Sequence, residues 1–204
     1  MERLREWICR EAQVLGPEFL RVDGILNHQI DPAFISLVGE QLAAQFSSWE
    51  ANCVLTAEAA GNIVAYELAR RLGVRALYAK KGKAATMIRP IVRTVTSPTK
   101  GTKTELSISG DYLGPQARVI IVDDFLYRGH TSATLGDMVL EAGGKLIEFG
   151  FVIEKTFAQG RDALRRFGVP IVSLAPIQSM DPESGTIVFA EERADGIEGN
   201  MAWA

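Results

Sequence analysis

The strongest chemical signal in the chain is Asp123 and Asp124, adjacent carboxylates that close the apolar run ARVIIVDD at 117–124. Two neighbouring carboxylates at a strand end repel each other and lose hydration, a cost that is met when cations or hydroxyl donors come to them. The plainer alternative is that one acid caps the next turn while the other is solvated. The next nine residues favour a ligand: FLYRGHTSA brings Gly129, Thr131 and Ser132 to the point where a helix begins. Backbone N–H groups of such a turn, with the positive end of the helix dipole, make an anion site to which the hydroxyls add donors. A phosphate fits there, beside the acids.

In an open α/β sheet, ligands bind beyond the carboxyl ends of the strands, and the chain predicts such a sheet. The run at 117–124 is nearly uninterrupted in apolar residues, as suits a central strand covered on both faces. NCVLTAE (52–58) reads as a strand followed by a glycine and by a helix that stops at Gly73. Further strands are predicted at 75–80 and 145–155, separated by a helix from Thr131 that ends in a glycine pair. GRDALRRFG (160–168) is expected to be a helix and VPIVSL (169–174) a strand. The segments 88–95 and 102–110 are expected to pair as a ribbon, preceded by the basic, unpatterned loop KKGKAATM.

At the N-terminus, Leu4, Trp7, Ile8 and Ala12 recur at helical intervals, and Asp31 and Pro32 read as N-cap and first residue of a second helix. TIVFA (186–190) reads as a last strand before a loose tail. Alternating strands and helices predict an α/β fold with a doubly wound, mostly parallel sheet in one domain spanning 1–204.

The composition narrows the partners. The 204 residues are 47% hydrophobic and 23% charged, as in an ordinary globular domain, and the net charge of −3 supplies no general attraction for DNA or an anionic membrane. No apolar run approaches the roughly 20 residues of a membrane span, and the charged N-terminus is unlike a signal peptide. Cys9 and Cys53 lack metal-ligand spacing and are each expected to be a small buried apolar residue, consistent with a reducing cytoplasm.

The segment VIIVDDFLYRGHTSA (119–133) resembles the signature of the type I phosphoribosyltransferases, and LRVDGILNHQIDP (20–32), VIEKTF (152–157) and GRDAL (160–164) extend the likeness, in order, toward the bacterial branch that acts on xanthine. The resemblance implies that the chain binds 5-phosphoribosyl-1-pyrophosphate (PRPP), with Asp123 and Asp124 as the catalytic pair at the ribose hydroxyls. Tyr127, Arg128, Gly129, His130, Thr131 and Ser132 would surround the 5′-phosphate. Glu58, Ala59, Ala60 and Gly61, with Lys80, Lys81 and Lys83, would meet pyrophosphate. Leu20, Asn27, Phe125 and Lys155 would line the base pocket, where Lys155 donates to an exocyclic oxygen and Asn27 reads the other polar edge.

On this likeness the reaction is purine salvage with release of pyrophosphate. Xanthine is the first expectation for the base; guanine, hypoxanthine or adenine, or a regulator that senses PRPP without turnover, are the alternatives. Magnesium would accompany PRPP, held mainly by substrate and water with no direct protein ligand. Residues 1–50 would form a hood over the base, 51–175 the core with a mobile loop at 80–104, and 176–204 a C-terminal segment. A cytoplasmic homodimer is expected from the family and from apolar faces on both terminal segments. His28 and His130, the two histidines, are not expected to be central, because a reaction dominated by leaving-group departure asks little proton transfer of the enzyme. The chain departs from the family in carrying the bulky Tyr127, Arg128 and His130 in a loop that usually has small residues, and Lys80 where an arginine is usual.

Overall fold

The computed structural model describes residues 1–46, 50–82, 85–96 and 103–190. In chain order the elements are α1 (Glu2–Glu11), the hairpin β1 (Gln13–Gly16) and β2 (Phe19–Arg21), a π-helical turn Asp23–Asn27, and α2 (Pro32–Gln45). Next come β3 (Cys53–Ala57), α3 (Gly61–Leu72), β4 (Arg75–Lys81), the ribbon β5 (Pro90–Thr96) and β6 (Lys103–Ser109), and β7 (Arg118–Leu126). The chain continues through α4 (His130–Glu141), β8 (Lys145–Lys155), β9 (Ile171–Met180) and β10 (Ile187–Phe189).

Local chemistry sets several of these boundaries. The Asp31 carboxylate accepts the N–H groups of Ala33 at 2.8 Å and Phe34 at 3.2 Å, and Pro32 supplies a fixed φ, so α2 begins where the sequence predicts. Gly73 ends α3 in the left-handed region at φ 68°. Eight strands form one sheet in the order β10-β9-β8-β7-β3-β4-β6-β5. The five from β9 to β4 are parallel, and β10, β6 and β5 are added antiparallel at the two ends. β7 lies inside this sheet with Val119, Ile120, Ile121 and Val122 fully buried, alternately supplying the two faces. On one face Ile120 and Val122 meet Phe34 and Leu42 of α2 and Val64 and Leu68 of α3. On the other, Val119 and Ile121 meet Leu135 and Met138 of α4 together with Phe149 and Phe151. A parallel sheet covered on both faces puts every strand's carboxyl end at one edge, and the tip of β7 sits in the middle of it.

The predicted ribbon forms, and β6 joins it to the main sheet through Lys80↔Ser107 and Lys81↔Leu106. Among the described residues, no helix is long and apolar enough to cross a membrane. Three expectations need correction. Residues 160–168 are not a helix but part of a chain of short 3-10 turns, Thr156–Ala158, Gly160–Ala163 and Arg165–Phe167. Gln159 breaks the run at φ 56° and Gly168 closes it at φ 64°. Cys9 is exposed, because α1 turns Leu4 and Ile8 inward and leaves Cys9 on the outer face; Cys53 is buried as expected, and burial pushes its thiol up to about 11. The apolar face of α1 is spent inside the chain, against the core that contains α2 and β9, so it is not a surface for a second copy. Lys83, the parts 83–84 and 97–102 of the expected loop 80–104, and the tail 191–204 lie outside the described residues.

Candidate active site

A cavity of about 550 Å³ opens beyond the carboxyl ends of β3 and β7 and gathers residues from five separated parts of the chain. Asp123, Asp124 and Phe125 enter it from the end of β7, and Tyr127 to Ser132 from the loop and first turn of α4. Ala57 comes from the end of β3 and Glu58 to Ala60 from the turn after it, Lys81 from the end of β4, Val95, Thr104 and Leu106 from the ribbon, and Asn27 from the π-helical turn.

The two acids carry charge that the protein itself leaves poorly compensated. Among the described residues, the Asp123 carboxylate accepts its neighbour's N–H at 3.0 Å, and the Asp124 carboxylate likewise accepts Phe125 N–H at 3.0 Å. Burial, then the Asp124 charge, holds the Asp123 carboxyl well above the usual carboxylate range, with Lys81 opposing weakly. Such a pair is suited to hydroxyl donors or to a hard cation that arrives with a ligand. Gly61 stands behind Asp123, off the cavity wall. A Cβ there would lie 2.0 Å from Thr56 Oγ1 and 2.7 Å from Asp123 Oδ1, so the bare backbone is what leaves room for the carboxylate.

The turn after β3 includes a cis peptide between Glu58 and Ala59, and it is fastened to β4 twice. Glu58 N–H donates to Ala79 O at 3.1 Å, and the Glu58 carboxylate accepts from Lys81 N–H at 2.5 Å. Strand alternation then separates the neighbouring lysines: Lys81 lines the cavity and Lys80 does not.

The loop between β7 and α4 meets the 3-10 turn at Gly160 backbone to backbone. Gly129 has φ 72°, and a Cβ on it would lie 2.4 Å from Gly160 O; a Cβ on Gly160 would lie 2.3 Å from Tyr127 O. Among the described residues no side chain caps α4, so the amides of its first turn are left for a ligand, with Thr131 and Ser132 beside them. Arg161 holds the 3-10 turn in place. Its Nε and Nη2 each donate at 2.8 Å to the two oxygens of buried Glu154, and Nη1 donates to Ile171 O at 3.1 Å.

Phe125 and Asn27 also reach the cavity, while Leu20 packs against the hydrophobic core rather than on the wall. Lys155 stands just behind. Its Nζ is 5.2 Å from the Phe125 ring centre and 5.5 Å from that of Tyr127, and it donates to Glu18 O at 2.5 Å. Burial lowers its pKa, and the Glu18 charge partly offsets this. His130 lines the cavity and His28 does not. Glu18 was not signalled by the sequence: it also accepts from Tyr127 Oη through Oε2 at 2.6 Å, and nothing local marks a glutamate in a hairpin turn as part of a site.

No protein-family model matches the chain. Curated relatives do. It is 41% identical to a xanthine phosphoribosyltransferase of Brevibacillus brevis over 94% of this chain and 97% of the relative. It is also 41% identical to one from Heliobacterium modesticaldum, over 93% of this chain and all of that one. Among solved structures, an adenine phosphoribosyltransferase from Thermoanaerobacter pseudethanolicus superposes with a TM-score of 0.64 at 28% identity, over 71% of this chain and 81% of the other. A second, from Rhodothermus marinus, gives a TM-score of 0.70 over 85% of this chain and 98% of the other; at 24% identity it speaks for the fold alone. An acidic strand end beside an uncapped helix start, on this sheet and with these relatives, has one reading: the chain belongs to the xanthine phosphoribosyltransferase family.

Proposed function

We propose that the protein transfers the 5-phosphoribosyl group of PRPP to xanthine, forming the nucleotide and releasing pyrophosphate. The observation that carries this reading is one cavity lined by Asp123 and Asp124, by the uncapped start of α4 and by Phe125, whose ring centre is 5.2 Å from Lys155 Nζ. A ligand with a phosphate, a hydroxylated ring and a purine matches those chemistries.

As pyrophosphate leaves, the anomeric carbon becomes cation-like, and catalysis comes from electrostatic stabilisation and from holding the base against that carbon. Asp123 and Asp124 take the ribose hydroxyls. The amides at the start of α4, with Thr131 and Ser132, hold the 5′-phosphate, and Lys81 with the turn Glu58, Ala59 and Ala60 faces the pyrophosphate. Lys155 donates to a 6-oxo group; adenine's amino group would rather meet an acceptor. The donor set fits magnesium, since carboxylate oxygens are hard ligands, although no group of three or more His, Cys, Asp or Glu side chains converges among the described residues. Bound with PRPP, magnesium would supply positive charge against the departing pyrophosphate, near Asp123 and Asp124.

The test is pyrophosphate release with magnesium, PRPP and each of xanthine, guanine, hypoxanthine and adenine. Xanthine is expected to give the highest kcat/KM; release with no base, or with adenine alone, would overturn the reading. In the same assay Lys155→Ala is expected to raise the KM for xanthine about 10- to 100-fold, the value of a hydrogen bond from a charged donor. Because burial lowers the Lys155 pKa, the wild-type KM should already climb on the alkaline side below the ordinary lysine range, and the variant should lack that limb.

We place the enzyme in the cytoplasm as a homodimer. Exposed Tyr66 on α3, Tyr78 on β4 and Ile88 offer apolar surface for a second copy, and a single-chain mass in light scattering at micromolar concentration would remove the dimer.

A further inference from the structure

Glu18 lies in the turn between β1 and β2 and is held by two residues from the far side of the chain. Its carboxylate Oε2 accepts the Tyr127 hydroxyl at 2.6 Å, and its backbone O accepts Lys155 Nζ at 2.5 Å. The hairpin that carries it is a separate two-stranded sheet with Leu15 and Phe19 exposed, and a two-stranded sheet has little stability of its own. Val14 and Leu20 seat the strands on the core, and the exposed turn between them is held by its contacts with the site. Tyr127 belongs to the loop that closes on the 5′-phosphate side of the cavity, and its backbone rests on Gly160. Its ring also faces the Lys155 ammonium, which it shares with the ring of Phe125. An ammonium has three N–H donors, so the bond to Glu18 O aims the group and leaves two for a base.

We infer that Tyr127 and Glu18 tie the 5′-phosphate loop to the base pocket, so that filling the loop positions Lys155 and raises the affinity for the purine. The inference rests on the proposed function and deepens it, by assigning positioning roles to two residues and a reciprocal coupling to the two ligands. Phosphate fixes the loop backbone at Tyr127; the hydroxyl fixes Glu18; the Glu18 carbonyl fixes the lysine. A phenol donating to a carboxylate is a charge-assisted bond, shorter and stronger than a neutral one. The bulky residue in a loop where small ones are usual then has a use: only a long side chain with a terminal donor reaches from this loop to the hairpin.

The experiment measures the dissociation constant of xanthine by calorimetry with and without saturating ribose 5-phosphate. In the unaltered protein ribose 5-phosphate is expected to tighten xanthine at least about 5-fold, the lower end of ordinary coupling between sites. Tyr127→Phe keeps the ring and loses the hydroxyl, and is expected to reduce the coupling below about 2-fold, as is Glu18→Ala, with no further loss in the double variant. Glu18→Gln retains an acceptor oxygen and is expected to recover part of it. Coupling that survives in both Tyr127→Phe and Glu18→Ala would overturn the tie while leaving the proposed function standing. If ribose 5-phosphate did not bind the unaltered protein at all, the site reading would fail and the tie with it.

Discussion

Asp123→Asn with Asp124→Asn is expected to cut kcat/KM for PRPP by about 10²- to 10⁴-fold while making the fold more heat-stable. The loss comes from two charged hydrogen-bond acceptors at the sugar, each worth about 1.5–3 kcal/mol, against about 1.4 kcal/mol per tenfold in rate. The gain comes from linkage. The folded state holds the Asp123 carboxyl above its ordinary pKa, chiefly through burial and then through Asp124. A carboxyl that binds its proton more tightly folded than unfolded destabilises the fold fully at pH values above its folded pKa; the penalty shrinks as pH falls below that pKa and is gone only below the unfolded pKa. Asparagine removes the ionisable proton yet keeps an oxygen to accept the Asp124 and Phe125 amides, which Asp123 and Asp124 now accept at 3.0 Å. The melting temperature of the double variant should exceed that of the wild type at pH 7, by about 2–4 °C for each kcal/mol relieved, and the difference should shrink toward acid pH. A double variant that loses both activity and stability would show the acids to be structural. Unchanged PRPP turnover would remove the sugar-binding assignment.

The part of the site that the sequence makes legible is the part built from neighbours. A strand buried on both faces leaves an uninterrupted apolar run, and two acids, a glycine and a helix start come directly after it, so β7, its loop and α4 announce themselves. Glu18 cannot be read in this way, since its partners Tyr127 and Lys155 lie 109 and 137 residues away. Lys80 and Lys81 are equivalent in composition, and only the register against Ser107 and Leu106 decides that Lys81 faces the cavity. GRDALRRFG has the residues of a helix, but two tertiary contacts override its propensity: Gly160 is pressed against the Tyr127 carbonyl, and Arg161 is drawn out to Glu154. The same two contacts make that segment part of the site, so the failed helix and the missed support for the phosphate loop are one event.

Arg161→Ala is accordingly expected to destabilise the fold strongly. The guanidinium grips both oxygens of Glu154, whose side chain is 3% exposed, and its own side chain is 15% exposed. Removing one member of such a pair leaves a buried charge without its counter-charge and costs about 3–5 kcal/mol, or a fall of about 6–20 °C in melting temperature. Glu154→Leu with Arg161→Met, which removes both charges and keeps the volume, should be closer to wild type than Arg161→Ala. Activity separates the two functions of the pair. In Arg161→Ala, assayed below its melting transition, the 3-10 turn bearing Gly160 loses its anchor to β8, and the KM for PRPP should rise several-fold as the loop at Tyr127 loses its backing. If the melting temperature of Arg161→Ala stayed within the equivalent of about 1 kcal/mol of wild type, the pair would be behaving as a surface ion pair, and its assignment as the support of the phosphate loop would fail with it.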